Sequence, residues 1–421
     1  MRRFADMGFR VRPAKEYLLF LLGLFSTWQI IAVGGLAVST WLTLLTAGYL
    51  LLTQEFAFRR DWLLLGMLLS AGITFCVSMM ANIPAGYTKA SLVGTVQWVL
   101  IFAIYACVRR ESTNDSADAF FRGFDWSCRI QLIWCFLQIA SSKALGLNLN
   151  WLIFDKLLHL SDEAGLFENN MVSGLHWHVA NLIPIVIYMY FRHKNILIKG
   201  CCLLIVMVTR SSTLMIAAGL CVMFDVLVFC KRTLCDQHCA IPYKEAVYIL
   251  LGLMGVVAVS PILLPKVWGM IEHLMLRIWQ ISNPSEGFES SAVHFNYYRY
   301  LPDILKTLPT REVIAGAGFG TSGYRFTVFL WQYPNAIWTV ESDPVNIILS
   351  QGILGAVLHY SFMGSLTWKL LRKKQTGLVC VLVILMICGF VYNNQFIWVQ
   401  LVEFMLYCRV RCGAPEKAKE F

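Results

Sequence analysis

Two arginines of this 421-residue chain occupy positions at which a positive charge needs an explanation. Arg210 lies between two apolar runs, and a charge at the centre of a membrane helix costs about 2.5–3.5 kcal/mol. Arg299 lies in a long polar stretch, between Tyr298 and Tyr300. A guanidinium offers several donors in one plane, which suits it to the negative charge of a departing phosphate group. Both arginines are candidate catalytic residues. The alternative for Arg210 is that its side chain extends to the membrane surface, and the alternative for Arg299 is that it is a solvated charge in an aromatic belt.

Three groups near the same polar stretch have the chemistry of a general base. They are Glu341, Asp343 and His294. A positioned carboxylate or imidazole that takes the proton of a hydroxyl is typically worth roughly 10²–10⁴ in rate. We predict Glu341 as the base, with Asp343 and His294 as substrate-contacting residues. The alternative for the two acids is structural, since acids favour the first turn of a helix that Ser342 caps just before Pro344.

The composition of the chain indicates the elements that must hold these residues. Apolar residues make up 58% and charged residues 14%, and the mean hydropathy is +0.62. Such a chain would aggregate in water but suits lipid, and a bilayer core of about 30 Å needs roughly 20 apolar residues per helix. We predict an all-α, polytopic integral membrane protein with about twelve transmembrane helices; a count of ten or eleven helices is the alternative. The predicted spans are 17–35, 36–53, 62–80, 91–108, 126–142, 176–191, 195–209, 211–230, 245–264, 343–363, 376–393 and 395–410.

The distribution of lysine and arginine predicts the orientation of these spans. Most of the 35 basic residues fall on one side when the N-terminus is inside, which places both termini in the cytoplasm. The net charge of +10 is then a topology signal and a surface for anionic lipid, which argues against nucleic acid. The predicted division is nine helices in 1–264 with an outer loop at 143–175, a large extracytoplasmic loop at 265–342, and three helices and a tail in 343–421.

The large loop has a pattern of its own. Apolar residues recur at helical spacing over 270–279, which predicts a helix lying on the outer interface. Tyr297 to Leu308 is a second helical candidate, which we expect to be interrupted by Pro302. Gly316 to Gly323 is glycine-rich and permits close backbone approach. A loop of this length is uncommon in a compact protein unless it is functional.

The order of Arg299, the run Gly316-Ala317-Gly318-Phe319-Gly320 and the stretch from Glu341 to Gly355 resembles the O-antigen polymerase and ligase superfamily. The resemblance is closest to the Wzy-type polymerases of surface polysaccharides and includes Val208 to Thr213. It implies a many-span membrane protein with a large outward loop. It also implies a metal-independent glycosyltransferase that uses a lipid-diphosphate sugar donor.

The resemblance further implies that the arginine at an outer helix end and the arginine in the loop are functional, here Arg210 and Arg299. The ligase branch is expected to carry a histidine near the end of the loop, where this chain has Glu341 and Asp343. We therefore expect polymerisation of polyprenyl-diphosphate-linked oligosaccharide repeat units on the outer face of the bacterial cytoplasmic (inner) membrane. The alternatives are an O-antigen ligase and a lipid-linked oligosaccharide flippase or other transporter. A transporter is expected to show two related halves, and the sequence has no such repeat.

Further residues are predicted to line the substrate-binding surface. Tyr298 offers a ring for stacking on sugars, and the remaining candidates are Arg277, Arg325, His176 and His178. The two arginines would add electropositive surface; the alternative is that they are solvated charges. The two histidines would form part of a surface that contacts the glycan; the alternative is that they lie at the membrane interface.

The implied partners are the polyprenyl-diphosphate-linked donor and acceptor and the lipid bilayer, with a chain-length regulator protein left open. No cofactor is required, because the donor carries its own driving force. Cys230, Cys235, His238 and Cys239 match no standard zinc spacing, so no metal is predicted. We expect Glu403 to pair with an inner arginine.

Overall fold

The computed structural model describes residues 14–33, 36–53, 61–81, 83–109, 114–158, 172–176, 179–209, 211–235, 272, 290–330, 340–393 and 397–412. The predicted span 245–264 lies outside these residues, as do Arg210, Arg277 and His178. The predicted interfacial helix 270–279 lies outside them as well, except for Glu272.

Helices account for most of the described chain. In chain order they are α1 (Ala14–Phe25), α2 (Val38–Thr53), α3 (Trp62–Met80), α4 (Ala85–Arg109), α5 (Asp115–Leu145), α6 (Ile183–Arg192), α7 (Ile196–Thr209), α8 (Ser212–Cys235), α9 (Ser290–Thr307), α10 (Thr310–Ala315), α11 (Ser322–Leu330), α12 (Asp343–Arg372), α13 (Thr376–Gly389) and α14 (Ile397–Cys412). A π-helical segment covers Trp151–Leu157, and a 3-10 turn covers Val179–Leu182.

Three of the described helices, α3, α4 and α12, are long and apolar enough to cross a membrane. Shorter apolar helices are α2, α6, α7 and α13, and the stretch Thr213–Val228 within α8. The protein is therefore membrane-embedded and α-helical, as its composition predicted. The prediction for 62–80 coincides with α3.

The first predicted span, 17–35, is wrong at its C-terminal end. Helix α1 stops at Phe25 and a turn follows, in which the Ser26 hydroxyl donates to the carbonyl oxygen of Gly23 at 2.8 Å. A two-residue antiparallel hairpin then joins β1 (Ala32–Val33) to β2 (Leu36–Ala37). Gln131 of α5 donates to the carbonyl oxygen of Thr27 at 3.1 Å, so the residues after Phe25 contact α5 instead of extending α1.

Helices α1 and α5 cross at a pair of glycines. A methyl group on Gly23 would stand 2.2 Å from the carbonyl oxygen of Phe120, and one on Gly123 would stand 2.0 Å from that of Phe20. The two backbones therefore approach as closely as small residues allow in membrane helix packing. This contact fixes α5, which carries the side chains that hold the candidate site.

The chain forms two compact units, one of Met1–Ala218 with Ile304–Phe421 and the other of Gly219–Asp303. Helix α9 contributes to both and continues through Pro302, where we expected an interruption. Proline removes one backbone donor, which deprives the carbonyl of Tyr298 of its helical partner. The other turns of α9 are unaffected, so one proline does not end the helix.

Candidate functional site

The candidate site is organised by a break in α12. Gly352 has φ 73° and ψ −179°, which interrupts the helical hydrogen bonding. Ala317 N donates to the carbonyl oxygen of Leu349 at 3.2 Å, and Gly318 N donates to that of Ser350 at 2.9 Å. The glycine-rich loop therefore supplies donors to carbonyls that the break leaves without helical partners.

Only glycine fits where the loop meets the break. A methyl group on Gly316, which has φ 77°, would stand 2.2 Å from the carbonyl oxygen of Ser350. One on Gly352 would stand 2.2 Å from the carbonyl oxygen of Ile314. The two backbones are in direct contact, so the glycine run and the stretch 341–355, two motif segments of the sequence resemblance, pack against each other.

The carboxylates lie at the N-terminal end of the broken helix. Ser342 occupies the N-cap position and Pro344 the first turn, as predicted, although the serine hydroxyl makes no capping bond. Asp343 is 7% exposed, and a methyl group on Gly389 would stand 2.4 Å from its Oδ2. Glu341 is only half-buried. The end of α13 thus covers Asp343 and leaves Glu341 the more accessible acid.

Five polar residues near the start of α12 are here called the polar cluster. They are the two acids Glu341 and Asp343 together with Asn346, Tyr392 and Asn181. Asn346 accepts a hydrogen bond from the Ser322 hydroxyl at 2.6 Å, and Tyr392 donates to Asn181. Burial raises the pKa of Tyr392, in the turn after α13, and the charges of Glu341 and Asp343 raise it further. Tyr392 is therefore a neutral donor to Asn181.

His176 belongs to the wall behind the polar cluster. It is fully buried, its Nδ1 lies 3.2 Å from Gln29 Oε1, and its ring stacks on Trp398 at 6.3 Å between centroids. Asn181 Nδ2 donates to the same Gln29 oxygen at 2.8 Å. Burial lowers the pKa of His176 to about 3, so the ring is neutral at physiological pH. In this arrangement His176 supports Asn181 and offers no glycan surface.

Two buried glutamines of α5 hold the segment 172–176 that carries His176. Gln131 Oε1 accepts from Leu175 N at 2.6 Å, and Gln138 Oε1 accepts from Gly174 N at 2.9 Å. Sequence reasoning missed both. The available signal was two amides separated by two helical turns in an otherwise apolar stretch, which places them on one face of α5.

Arg325, predicted to add positive surface, pairs with Glu312 inside the protein. The two side chains are 13% and 4% exposed and form a close ion pair between α11 and α10. Tyr324 beside it contacts Tyr87 of α4, with ring centroids 5.0 Å apart. The charge of Arg325 is thus compensated by a neighbouring helix, which joins the loop helices α10 and α11.

The remaining candidates lie on α9. Arg299 is exposed, and its guanidinium carbon lies 5.7 Å from the centre of the Tyr300 ring. Tyr298 is half-buried. His294 is part of the same helix, but its side chain lies outside what the structure describes. Arg299 is therefore available to a ligand from solvent.

Glu403 is placed differently from our expectation. It lies on α14 at 6% exposure, among the apolar side chains that line a groove between α5, α6, α13 and α14. In the described part of the chain it forms no ion pair with an arginine. Position along α14 did not reveal this, because the burial of a helix face depends on which helices pack against it.

Comparison with known proteins adds no relative. No protein-family model matches the chain, and a search of curated proteins finds no matching sequence.

Proposed function

We propose that the protein is a membrane glycosyltransferase that polymerises polyprenyl-diphosphate-linked oligosaccharide repeat units into O-antigen- or capsule-type polysaccharide. The reaction takes place on the outer face of the bacterial cytoplasmic membrane. In this proposal the chain crosses that membrane about twelve times and has both termini in the cytoplasm. The observation that carries the proposal is the contact between the glycine-rich loop and the break in α12. The carboxylates lie at the N-terminal end of this helix. Membrane embedding and the order of the sequence motifs support it.

In the proposed reaction Glu341 acts as the general base. It takes the proton of an acceptor sugar hydroxyl as that oxygen forms a bond to the anomeric carbon of the donor. The bond between this carbon and the diphosphate breaks, and the lipid diphosphate leaves with the electron pair. Glu341 suits this role better than Asp343, because Gly389 covers the latter. Tyr392 and Asn346 are neutral groups that orient sugar hydroxyls nearby.

Arg210 and Arg299 neutralise the leaving diphosphate in this proposal. Arg299 is supported by its exposure and by a flanking tyrosine ring on which a sugar can stack. Arg325 is not assigned to the diphosphate, because Glu312 already compensates its charge.

The test is the size distribution of surface and lipid-linked glycans in a deletion strain. The strain is complemented with wild type, Arg210→Ala, Arg299→Ala or Lys306→Ala, the last being a matched exposed cation on α9. We expect single units in the deletion, a restored ladder with wild type and Lys306→Ala, and no ladder with the other two. Long chains left on carrier lipid would identify a ligase, and single units trapped inside would identify a flippase.

A further inference from the structure

An apolar groove extends along α13 and α14, with α5 and α6 completing its wall. Leu378 and Leu385 of α13 line it, as do Val399, Val402 and Leu406 of α14. Residues three, four or seven positions apart lie on the same face of a helix, so the groove follows one face of each helix. It therefore has the elongated shape that a hydrocarbon chain requires.

The wall of this groove offers little to a polar ligand. Among the lining residues that the structure describes, the only acid is Glu403, and its side chain is buried. The hydroxyl of Tyr188, which also lines the groove, donates to Asp125 Oδ1 at 3.1 Å. The other lining residues are apolar or aromatic. The groove thus suits an apolar chain.

One end of the groove lies where two turns of the chain meet. Helix α13 packs on α6 there, since a methyl group on Gly377 would stand 3.2 Å from the carbonyl oxygen of Phe191. This contact brings the turn 193–195, after α6, near the turn 373–375, before α13. Leu378 follows Gly377 directly, so both turns lie at the Leu378 end of the groove.

These two turns carry positive charge that the described residues do not compensate. Lys194 in the first turn and Lys373 and Lys374 in the second are exposed, and none of them forms an ion pair with a described residue. The acid at this end, Asp125, pairs with Arg192 at 3.4 Å and with an arginine of its own helix at the same distance. The Leu378 end of the groove is therefore cationic, and its complement is an anionic headgroup.

The cationic end is remote from the candidate site. The carboxylates lie at the N-terminal end of α12, and the two lysines follow its C-terminal end. The 30 residues of α12 correspond to about 45 Å of helical rise, whereas a bilayer core is about 30 Å thick. The two ends of α12 thus lie at opposite faces of the membrane. A donor whose diphosphate must reach the carboxylates is therefore not the occupant.

We propose that the groove binds an anionic phospholipid of the bilayer. One acyl chain lies along α13 and α14, and Lys194, Lys373 and Lys374 hold the phosphate. The inference goes beyond the proposed function and does not depend on it, because it requires only that the protein is embedded in a membrane. Since a bound lipid contacts the folded state, it also stabilises the protein.

The test measures lipid binding to the purified full-length protein in detergent by native mass spectrometry. The probe is phosphatidylglycerol, and phosphatidylcholine is the neutral comparison. The headgroup variant carries Lys194→Gln, Lys373→Gln and Lys374→Gln, and the control carries the same change at three other exposed lysines, Lys89, Lys156 and Lys306. We expect wild type and the control to bind phosphatidylglycerol about tenfold more tightly than phosphatidylcholine, and the headgroup variant to lose this preference.

Two further variants test the groove itself. Val402→Trp and Leu378→Trp each place a large ring at a half-buried lining position. We expect each to weaken phosphatidylglycerol binding about tenfold while its melting temperature without lipid stays near that of wild type. Two variants at different positions keep the test valid if one of them fails to fold.

Three results would overturn the inference. Equal affinity of wild type for the two phospholipids would show that the lysines do not select an anionic headgroup. Unchanged binding by the folded groove variants would mean that the lysines attract lipid only as a diffuse charged surface. Displacement of phosphatidylglycerol by an equal concentration of polyprenyl phosphate would identify a carrier lipid as the occupant.

Discussion

At the scale of single residues, the fold distinguishes the two acids at the N-terminal end of α12 by their burial. Asp343 is covered by the end of α13, whereas Glu341 is only half-buried. This difference in burial supports the proposed choice of Glu341 as the base.

We predict that Glu341→Gln abolishes polymer formation without lowering the amount of protein. Loss of a general base costs roughly 10²–10⁴ in rate, and the amide keeps the shape of the side chain. The readout is the fraction of glycans longer than one unit. Glu272→Gln, at an exposed acid, is the control that should behave as wild type. A full ladder with Glu341→Gln would remove Glu341 from the mechanism.

His176 predicts a pH dependence of stability. Burial lowers its folded-state pKa to about 3, below the unfolded value of about 6.5, so the unfolded chain alone binds a proton between these values. The contribution of His176 is fully present above about pH 6.5 and is lost as the pH falls towards 3, by at most about 1.4 kcal/mol per unit. We expect His176→Gln to flatten the fall in melting temperature between about pH 7 and 5 in detergent. An unchanged slope would contradict a neutral, buried His176.

At the scale of elements, the contact between the glycine-rich loop and the broken helix places the carboxylates. The chain direction changes at Gly352, and the loop donors at Ala317 and Gly318 stabilise the helical half that begins with Asp343. A substitution in either segment therefore acts on the site from a distance.

We predict that Gly316→Ala and Gly352→Ala each lower stability and polymer length. In both, the new methyl group would stand 2.2 Å from a backbone carbonyl oxygen, and both positions have positive φ. Gly364→Ala is the matched control in α12, because nothing lies within 4 Å of its added methyl group. In thermal unfolding, the melting temperature of this control should equal or exceed that of wild type, because alanine is more favourable than glycine in a helix by about 1 kcal/mol. Equal behaviour of the three variants would show that the loop contact is loose.

At the scale of the whole molecule, a buried ion pair ties together helices that are far apart in sequence. Asp61, just before α3, lies 3.3 Å from Arg109 at the end of α4, with exposures of 10% and 8%. Tyr105 and Tyr407 donate to the same carboxylate, at 3.4 and 3.3 Å. One acid thus joins α3, α4 and α14.

We predict that Asp61→Asn lowers the free energy of unfolding by about 3–5 kcal/mol, because it leaves Arg109 buried without its counter-charge. Glu16→Gln is the control. Its partner Arg122 is 46% exposed at 4.0 Å, and such a surface pair is worth about 1 kcal/mol or less. Thermal unfolding in detergent separates the two. A small effect of Asp61→Asn would mean that water reaches the Asp61–Arg109 pair.

The sequence by itself determined that 62–80 is a helix long and apolar enough to cross a membrane and where α12 begins. The run 62–80 became α3, and Ser342 and Pro344 lie at the helix start they predicted. These features depend on apolar length and on local backbone chemistry, which a linear pattern contains.

Only the tertiary structure decided which side chains meet. It paired Arg325 with Glu312, buried Glu403 in an apolar groove and placed His176 against Gln29. It also ended α1 at Phe25 within an apolar run, because the residues that follow find partners elsewhere. Such outcomes depend on which helices pack together, and the physical reason is that a buried polar group takes whatever partner the packed helices bring within reach.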